Sequence, residues 1–559
     1  MLEEPSSSKW LNELGVRDVA SARDNLRRML DSPLSIEQLG VICGQLAEYL
    51  PALSDPDMAL NNLQRFVAAS SNPSALASLI ERDERALQVL LTIFSSSQFL
   101  SDVLARQPDQ FDLLRLTEGQ PMARTVLIDD ICLETEPVAD QRSLMTLLRQ
   151  IKRRELLRIA YGDLVRDQSI EVVTRQISYL ADALCEAALR FASGKLAERH
   201  GLPLRPDGTR CRFSILALGK LGGEELNYSS DIDLMFLYER DGRTDGERPI
   251  ENREFFDRLG RQFVNLLTEP TELGIAYRVD LRLRPEGRHG PIASSLAAAA
   301  SYYDTRGRTW ERQAMIKARP VAGDIDLGEE FLQQMQPWIW RRYLSRADIT
   351  GIKALKRRIE ARAANGNSEA RNVKTGHGGI RDIEFAIQFL QLLGGGDLPD
   401  IRTTNTLEAI MALERDGCLT YQERSFLEEN YALLRKIEHR LQIMFDLQTH
   451  TLPEDEDQQQ KLAVRMGFRE VGSFRESLAQ KTAENRKILN HLLHDAFGDE
   501  GEIEPEVDLV LDPNPSPEAI TEILGKYRFA DIEAAYRHWM ALSAEWVRFI
   551  STRPARQLH

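Results

Sequence analysis

Apolar residues recur at helical spacing through the first 160 positions. Leu39, Ile42, Cys43, Leu46, Tyr49 and Leu50 fall on one helical face, and Pro51 stops the pattern. The stretch 142–198 keeps the same period, through Leu144, Leu147, Leu148 and Ile151, then Ile177, Leu180, Leu184 and Ala188. At Arg210 the period changes. Phe213–Leu218 and Leu234–Tyr238 are short apolar runs bounded by glycine or charge, as buried strands are. Tyr277–Arg284 alternates strictly: Tyr277, Val279, Leu281 and Leu283 face one way, and Arg278, Asp280, Arg282 and Arg284 the other. A helix-like segment, 251–268, lies between these strands, so roughly 210–325 reads as a mixed α/β unit.

Beyond about 330 the helical period returns. Thr420-Tyr-Gln-Glu423 has the form of a capping box, and Leu427, Tyr431, Leu434, Leu441 and Phe445 make the long stripe of a bundle core. Residues 499–517 are acidic and carry Pro505, Pro513, Pro515 and Pro517, which reads as a linker. Ser516-Pro517 suits the N-cap and first position of a final helix. The predicted division is an N-terminal helical region (1–160), an α+β catalytic unit (161–330), a helical bundle (331–500) and a linker with C-terminal helices (501–559). The fold class is α+β, predominantly α overall.

Composition narrows the function classes. The chain has 559 residues, 42% hydrophobic and 28% charged, which is the balance of a globular protein with several cores. A net charge of −15 disfavours a broad nucleic-acid footprint. The five cysteines, Cys43, Cys132, Cys185, Cys211 and Cys418, are far apart and never in a C-x-x-C pair, which argues against a disulfide framework or a zinc knuckle. No secretory n- and h-regions open the chain and no uncharged apolar run is long enough to span a bilayer, so the expectation is a soluble cytoplasmic protein without a membrane partner.

The densest chemistry lies in Leu218–Tyr238. Asp231 and Asp233, two residues apart at the start of a strand, project to the same side. Two such carboxylates repel unless they are solvated, protonated or neutralised by cations, and a divalent cation holding nucleotide phosphates would neutralise them. The glycine turn just upstream, Gly219, Gly222 and Gly223, can bring backbone N–H groups close to phosphate, and Lys220 could add a point charge. Asp280, on the polar face of its strand between Arg278 and Arg282, is the candidate third carboxylate. Mg2+ takes oxygen ligands and usually one or two carboxylates plus substrate phosphates. Asp231, Asp233 and Asp280 are therefore the candidate catalytic and metal-binding residues, and the order strand, glycine turn, Asp-x-Asp strand, carboxylate strand points to nucleotidyl transfer.

A basic cluster, Arg282, Arg284, Arg288 and His289, offers guanidinium forks for phosphate or else a solvated strand face. Ser230 and Lys317 join Gly219, Lys220, Gly222, Gly223, Arg282 and Arg284 as candidate nucleotide- or phosphate-binding residues. Trp310 and Met315, near Lys317, read more readily as core. A second glycine turn, Lys374–Phe385, opens another helix, and its His377 reads as an exposed turn residue.

Four blocks in order, Leu218–Tyr238, Tyr277–Gly287, Gly307–Arg319 and Lys374–Phe385, resemble the bifunctional glutamine synthetase adenylyltransferase/adenylyl-removing family, whose fold is that of the polymerase β-like nucleotidyltransferases. Members of that family carry two homologous halves, and this chain looks like one. The Gly-Gly-Ile-Arg-Asp-Ile-Glu-Phe form, the Gly307-Arg-Thr-Trp-Glu-Arg form and Arg341-Arg-Tyr343 resemble the N-terminal, adenylyl-removing half. The resemblance implies Mg2+ as cofactor, with Asp231, Asp233 and Asp280 as its ligands. It also implies phosphorolysis of AMP from a glutamine synthetase tyrosine, with orthophosphate entering and ADP leaving. The implied partners are adenylylated glutamine synthetase and a PII signal protein in its uridylylated form. Forward adenylylation from ATP, and a regulatory module that needs a second half, are the competing readings.

Overall fold

The computed structural model describes residues 4–31, 34–341, 371–497, 509, 517–527, 529 and 531–540. Arg342, Tyr343 and most of the expected linker, with Ser516, lie outside the described residues. A helix does begin at Pro517, over Pro517–Leu524.

Seven strands fall between residues 203 and 323. They are β1 (Pro203–Leu204), β2 (Phe213–Leu218), β3 (Asp231–Tyr238), β4 (Arg243–Thr244), β5 (Arg278–Asp280), β6 (Ala293–Ser295) and β7 (Arg319–Gly323). β1 and β4 form a separate two-stranded ribbon. In the main sheet β2 is antiparallel to both β3 and β7. One edge of β3 is shared by two short parallel strands: β5 pairs with its first residues and β6 with its last. The alternation seen from Tyr277 to Arg284 therefore does not continue as one strand. β5 ends at Asp280, whose carboxylate accepts from the Arg282 backbone N–H at 2.8 Å and turns the chain out of the sheet.

The sheet is covered on both sides, as period-2 burial requires. Ile215, Ala217, Ile232, Leu234 and Phe236 pack against the helices Gln141–Leu164, Ile170–His200 and Asn252–Thr268. Leu216, Leu218, Met235 and Leu237 join a second core with Phe331, Ile380, Ile383, Leu434 and Leu441 from the C-terminal helices. The helices before about residue 115 form a third core around Leu46, Leu63, Phe66 and Phe94, joined by Leu157, Ala160, Tyr161 and Ile443. The long pair 141–200 thus serves as one wall of the sheet, although in sequence it continues the N-terminal helical pattern.

The helix Tyr421–Phe445 opens with the expected capping box, Thr420 and Glu423 bonding reciprocally. Leu427, Tyr431, Leu434 and Leu441 are buried as the stripe requires, but Phe445 is exposed. The same helix also buries a charged face. Arg435, Glu438, His439 and Arg440 are almost wholly inaccessible. Arg435 donates to the Glu225 carbonyl and the Asn227 side chain, and its Nε lies 3.1 Å from Glu438. Arg440 donates to Asp163 at 2.8 Å, and the Tyr228 hydroxyl reaches the same carboxylate at 3.1 Å. This charged face meets the segment that links the glycine turn to β3, and so couples the bundle to the sheet.

Breaking a buried pair by removing one partner leaves the other charge uncompensated. Arg435→Ala is expected to lower unfolding free energy by about 3–5 kcal/mol in urea titrations. A loss below about 1 kcal/mol would show that the helix and the turn are held by other contacts.

Candidate active site

Asp231 and Asp233 leave β3 on the face that carries Met235 and Leu237, because side chains two apart share a side. The parallel register places Arg278 beside Asp231 and Asp280 beside Asp233. Three carboxylates and one guanidinium therefore occupy two adjacent strand ends. Arg278 Nε bonds to Asp231, and its Nη2 donates to Gln448 at 3.0 Å. Arg282 wraps Asp280, with Nε 2.7 Å from one oxygen and Nη2 closer still. Arg278 was visible in the sequence only as a flanking charge. Its strand register makes it the direct partner of Asp231.

The electrostatics divide the carboxylates. Burial, then Asp280, then Asp231, raise the Asp233 pKa to about 7. Asp280 is itself buried enough to be pushed up, yet hydrogen bonds from the Arg282 side chain and backbone outweigh this and hold it below the ordinary range. Asp233 is thus the carboxylate without adequate positive compensation. The donor set, oxygen only, suits a hard divalent cation such as Mg2+, and the uncompensated charge at Asp233 is what such a cation would neutralise. Among the described residues, however, no group of three His, Cys, Asp or Glu side chains stands as a ready metal cage. Asp231 and Asp280 are turned to their arginines.

The glycine turn builds one wall. Gly219, Lys220, Leu221 and Gly222 form a single helical turn after β2. Gly219 has φ +55°, and a Cβ there would stand 2.5 Å from Asp233 Oδ2, so only glycine lets the turn approach the carboxylate this closely. Gly222 is needed for a different reason: its Cβ would meet the Lys317 carbonyl oxygen at 1.8 Å. That glycine packs the turn onto the segment before β7. Gly223 follows it, with its carbonyl bonded to Asn405.

Several residues expected at a phosphate are engaged elsewhere. Lys317 is buried, with its ammonium held by Glu225 and by Thr406 Oγ1 at 3.0 Å. Arg284 donates to the carbonyls of Leu281, Gly290 and Pro291 and ties the loop between β5 and β6. Both corrections have one physical reason. Each cation has reached the partners that a buried donor needs. Lys220 donates to both oxygens of the fully buried Glu438, at 3.0 and 3.1 Å. Burial lowers its pKa to about 8 although Glu438 pulls the other way. Ser230 Oγ donates to the Asp231 carbonyl at 3.1 Å. His377 is exposed, as expected of a turn residue. Glu438, Gln448 and His450 were not singled out in the sequence. His450 Nδ1 lies 2.7 Å from Glu438, and these residues sit on and just beyond a helix whose apolar stripe dominated the reading.

Comparison with known proteins sets the class. Residues 87–334 match the glutamate-ammonia ligase adenylyltransferase family. Adenylyltransferases are nucleotidyltransferases, a class that implies a divalent metal. Over these residues the chain is similar to that family. Residues 352–497 match the GlnD PII-uridylyltransferase family. Among curated relatives, the bifunctional glutamine synthetase adenylyltransferase/adenylyl-removing enzyme of Hahella chejuensis is 38% identical over 393 residues, covering 70% of this chain and 41% of the relative. That of Brucella suis is 40% identical over 400 residues, covering 70% and 40%. That of Pseudomonas aeruginosa is 35% identical over 504 residues, covering 88% and 50%. The chain spans about two fifths to a half of the length of these relatives. No helix among the described residues is long and apolar enough to cross a membrane.

The raised pKa of Asp233 has a stability consequence. A carboxyl whose folded pKa lies above its unfolded value binds more protons in the native state. Its cost is absent below the unfolded pKa, near 4, and grows until the pH passes the folded value, about 7. Asp233→Asn removes that cost. Without divalent cations the variant is expected to be more stable than the parent by roughly 2–4 kcal/mol at pH 8, with the difference vanishing near pH 4. Thermal melts across this range check it, and a variant that melts lower than the parent at pH 8 refutes the electrostatic reading.

Proposed function

We propose that this chain removes AMP from an adenylylated glutamine synthetase tyrosine by phosphorolysis. The observation that carries the reading is the cluster Asp231, Asp233 and Asp280 beside the Gly219 turn, with Arg278 and Arg282 at its mouth. An orthophosphate oxygen attacks the α-phosphorus, the bond from phosphorus to the tyrosine oxygen breaks, and ADP leaves. The phenolate takes a proton from solvent. A phenol with a pKa of about 10 is a tolerable leaving group. A divalent cation held by Asp231, Asp233 and Asp280 would supply charge neutralisation at the transferring phosphate and the departing oxygen.

The chain's own residues do the positioning. Arg282 and Arg278 are exposed enough to exchange a carboxylate for a phosphate oxygen. The turn at Gly219 presents backbone rather than side chain to the reacting group. The adenylyl-removing direction is favoured by the form of the blocks around Gly307 and Gly379, and the relatives' names include that activity. A uridylylated PII protein is the proposed regulator, and the likeness of residues 352–497 to a PII-uridylyltransferase supports that connection.

Asp231→Asn and Asp233→Asn are each expected to lower phosphate-dependent ADP release from adenylylated glutamine synthetase by at least about 100-fold, with a native circular dichroism spectrum. Unchanged ADP release would remove these carboxylates from the mechanism. Incorporation of label from ATP into unmodified glutamine synthetase, with no phosphate-dependent ADP release, would reverse the direction proposed.

A further inference from the structure

A cavity of about 390 Å3 lies where three parts of the molecule meet: the N-terminal helices near Phe99, the segment 272–278 that enters β5, and the end of the helix Tyr421–Phe445. Its wall includes Ala276 and Tyr277, which pack into the core on the sheet face opposite the one that carries Met235 and Leu237. The cavity therefore lies against the strand end that carries the candidate carboxylates. It also touches Ser229 and Ser230, the residues just before Asp231.

Cationic side chains dominate the wall: Arg106, Arg149, Lys152, Arg153 and Arg278. Two carboxylates, Glu272 and Asp446, oppose them. How the cations are held matters more than their number. Arg149 donates to the carbonyls of Met145, Leu266, Leu267, Glu269 and Gly274. Lys152 donates to the Ala276 carbonyl, and Arg153 to that of Leu273 at 3.0 Å. Among the described residues, none of these three forms an ion pair. A carbonyl fixes a cation's position but brings no charge, so the positive excess remains in the wall. The titration of Lys152 reports that excess. Its pKa is lowered to about 8, first by burial and then by Arg278, with Arg149 and Arg153 adding to the repulsion and Asp446 opposing it. Burial also raises the Asp446 carboxyl, which weakens that opposition.

We propose that this cavity binds a small anion with two or more negative charges, and that Arg278 links the anion to Asp231. Arg278 lines the cavity and at the same time bonds to Asp231. An anion in the cavity competes for that guanidinium and loosens its hold on the carboxylate. The volume is that of a small-molecule site rather than of a single ion, and guanidinium forks match paired oxygens. A phosphate ester and a dicarboxylate both present such oxygens. Anion binding stands independently of the proposed activity, whereas the consequence for catalysis rests on the role given to Asp231.

The test is isothermal titration of the full chain with sodium sulfate, inorganic phosphate and succinate, each at constant ionic strength in chloride. Saturable one-site binding is expected for at least one of the three. Preference for sulfate and phosphate over succinate assigns a phosphoryl ligand, and the reverse assigns a dicarboxylate. Arg106 is exposed, so Arg106→Glu should fold normally, and it is expected to weaken binding by about tenfold or more. Arg278→Gln should weaken it similarly, while saturating AMP should leave it unchanged. Absence of saturable binding by all three anions, equal binding by Arg106→Glu, or displacement by AMP would each overturn the proposal. These binding readouts do not depend on turnover, so loss of the proposed activity and loss of the anion site are separately visible.

Discussion

The site depends on the burial of Arg435 and Glu438 against the segment between the glycine turn and β3. That segment has no regular structure of its own, and Glu224 within it adopts a left-handed φ of +57°. Its shape is imposed by partners. Arg435 grips the Glu225 carbonyl and Asn227, Lys317 and the Thr406 backbone N–H take the Glu225 carboxylate, and Glu438 anchors Lys220 in the turn. Ions this deep would be costly if any one of them lost its partner. The network therefore makes the position of the turn all-or-none, and with it the position of Gly219 against Asp233. Burial lets Glu438 and Lys220 oppose one another without screening: burial alone would raise the Glu438 carboxyl, yet Lys220 and His450 hold it well below its usual range. The sheet unit and the bundle are in this sense one structural object, although their apolar patterns read as separate domains.

That difference explains what the sequence did and did not disclose. β2, the helix 251–268 and the capping box at Thr420 follow from period and local chemistry, and they stand as expected. Asp231, Asp233 and Asp280 converge because strand period and a parallel register are both short-range rules. Period failed where a side chain ended the element. Tyr277–Arg284 alternates throughout, but Asp280 captures the Arg282 N–H and β5 stops after three residues. The cations Lys317 and Arg284 misled for a related reason. A charged residue beside a glycine turn reads as a phosphate ligand, and only the fold shows that Glu225 or backbone carbonyls already occupy it. Glu438 was hidden in plain view, since a charged helix face is usually the solvated one. Here both faces of the helix are buried over its second half, which no pattern on a single helix can announce.

The two arginines at the mouth give the site a further logic. Arg278 and Arg282 each neutralise a carboxylate, which leaves Asp233 as the group that carries the repulsion. A phosphate that arrives with its own negative charge offers these guanidinium groups a better partner, because a forked donor matches two phosphate oxygens. Each exchange frees a carboxylate. The charge released at Asp231 and Asp280 then adds to that at Asp233, so a cation becomes progressively harder to do without. On the proposed function, anionic substrate and cation would be coupled through the same pair of arginines, each favouring the other. Arg282 is the more exposed of the two, with its side chain 60% accessible against 45% for Arg278. Arg278 also lines the cavity beside Ser229 and Ser230. An anion bound there, as proposed, would loosen the hold of Arg278 on Asp231 from a second direction.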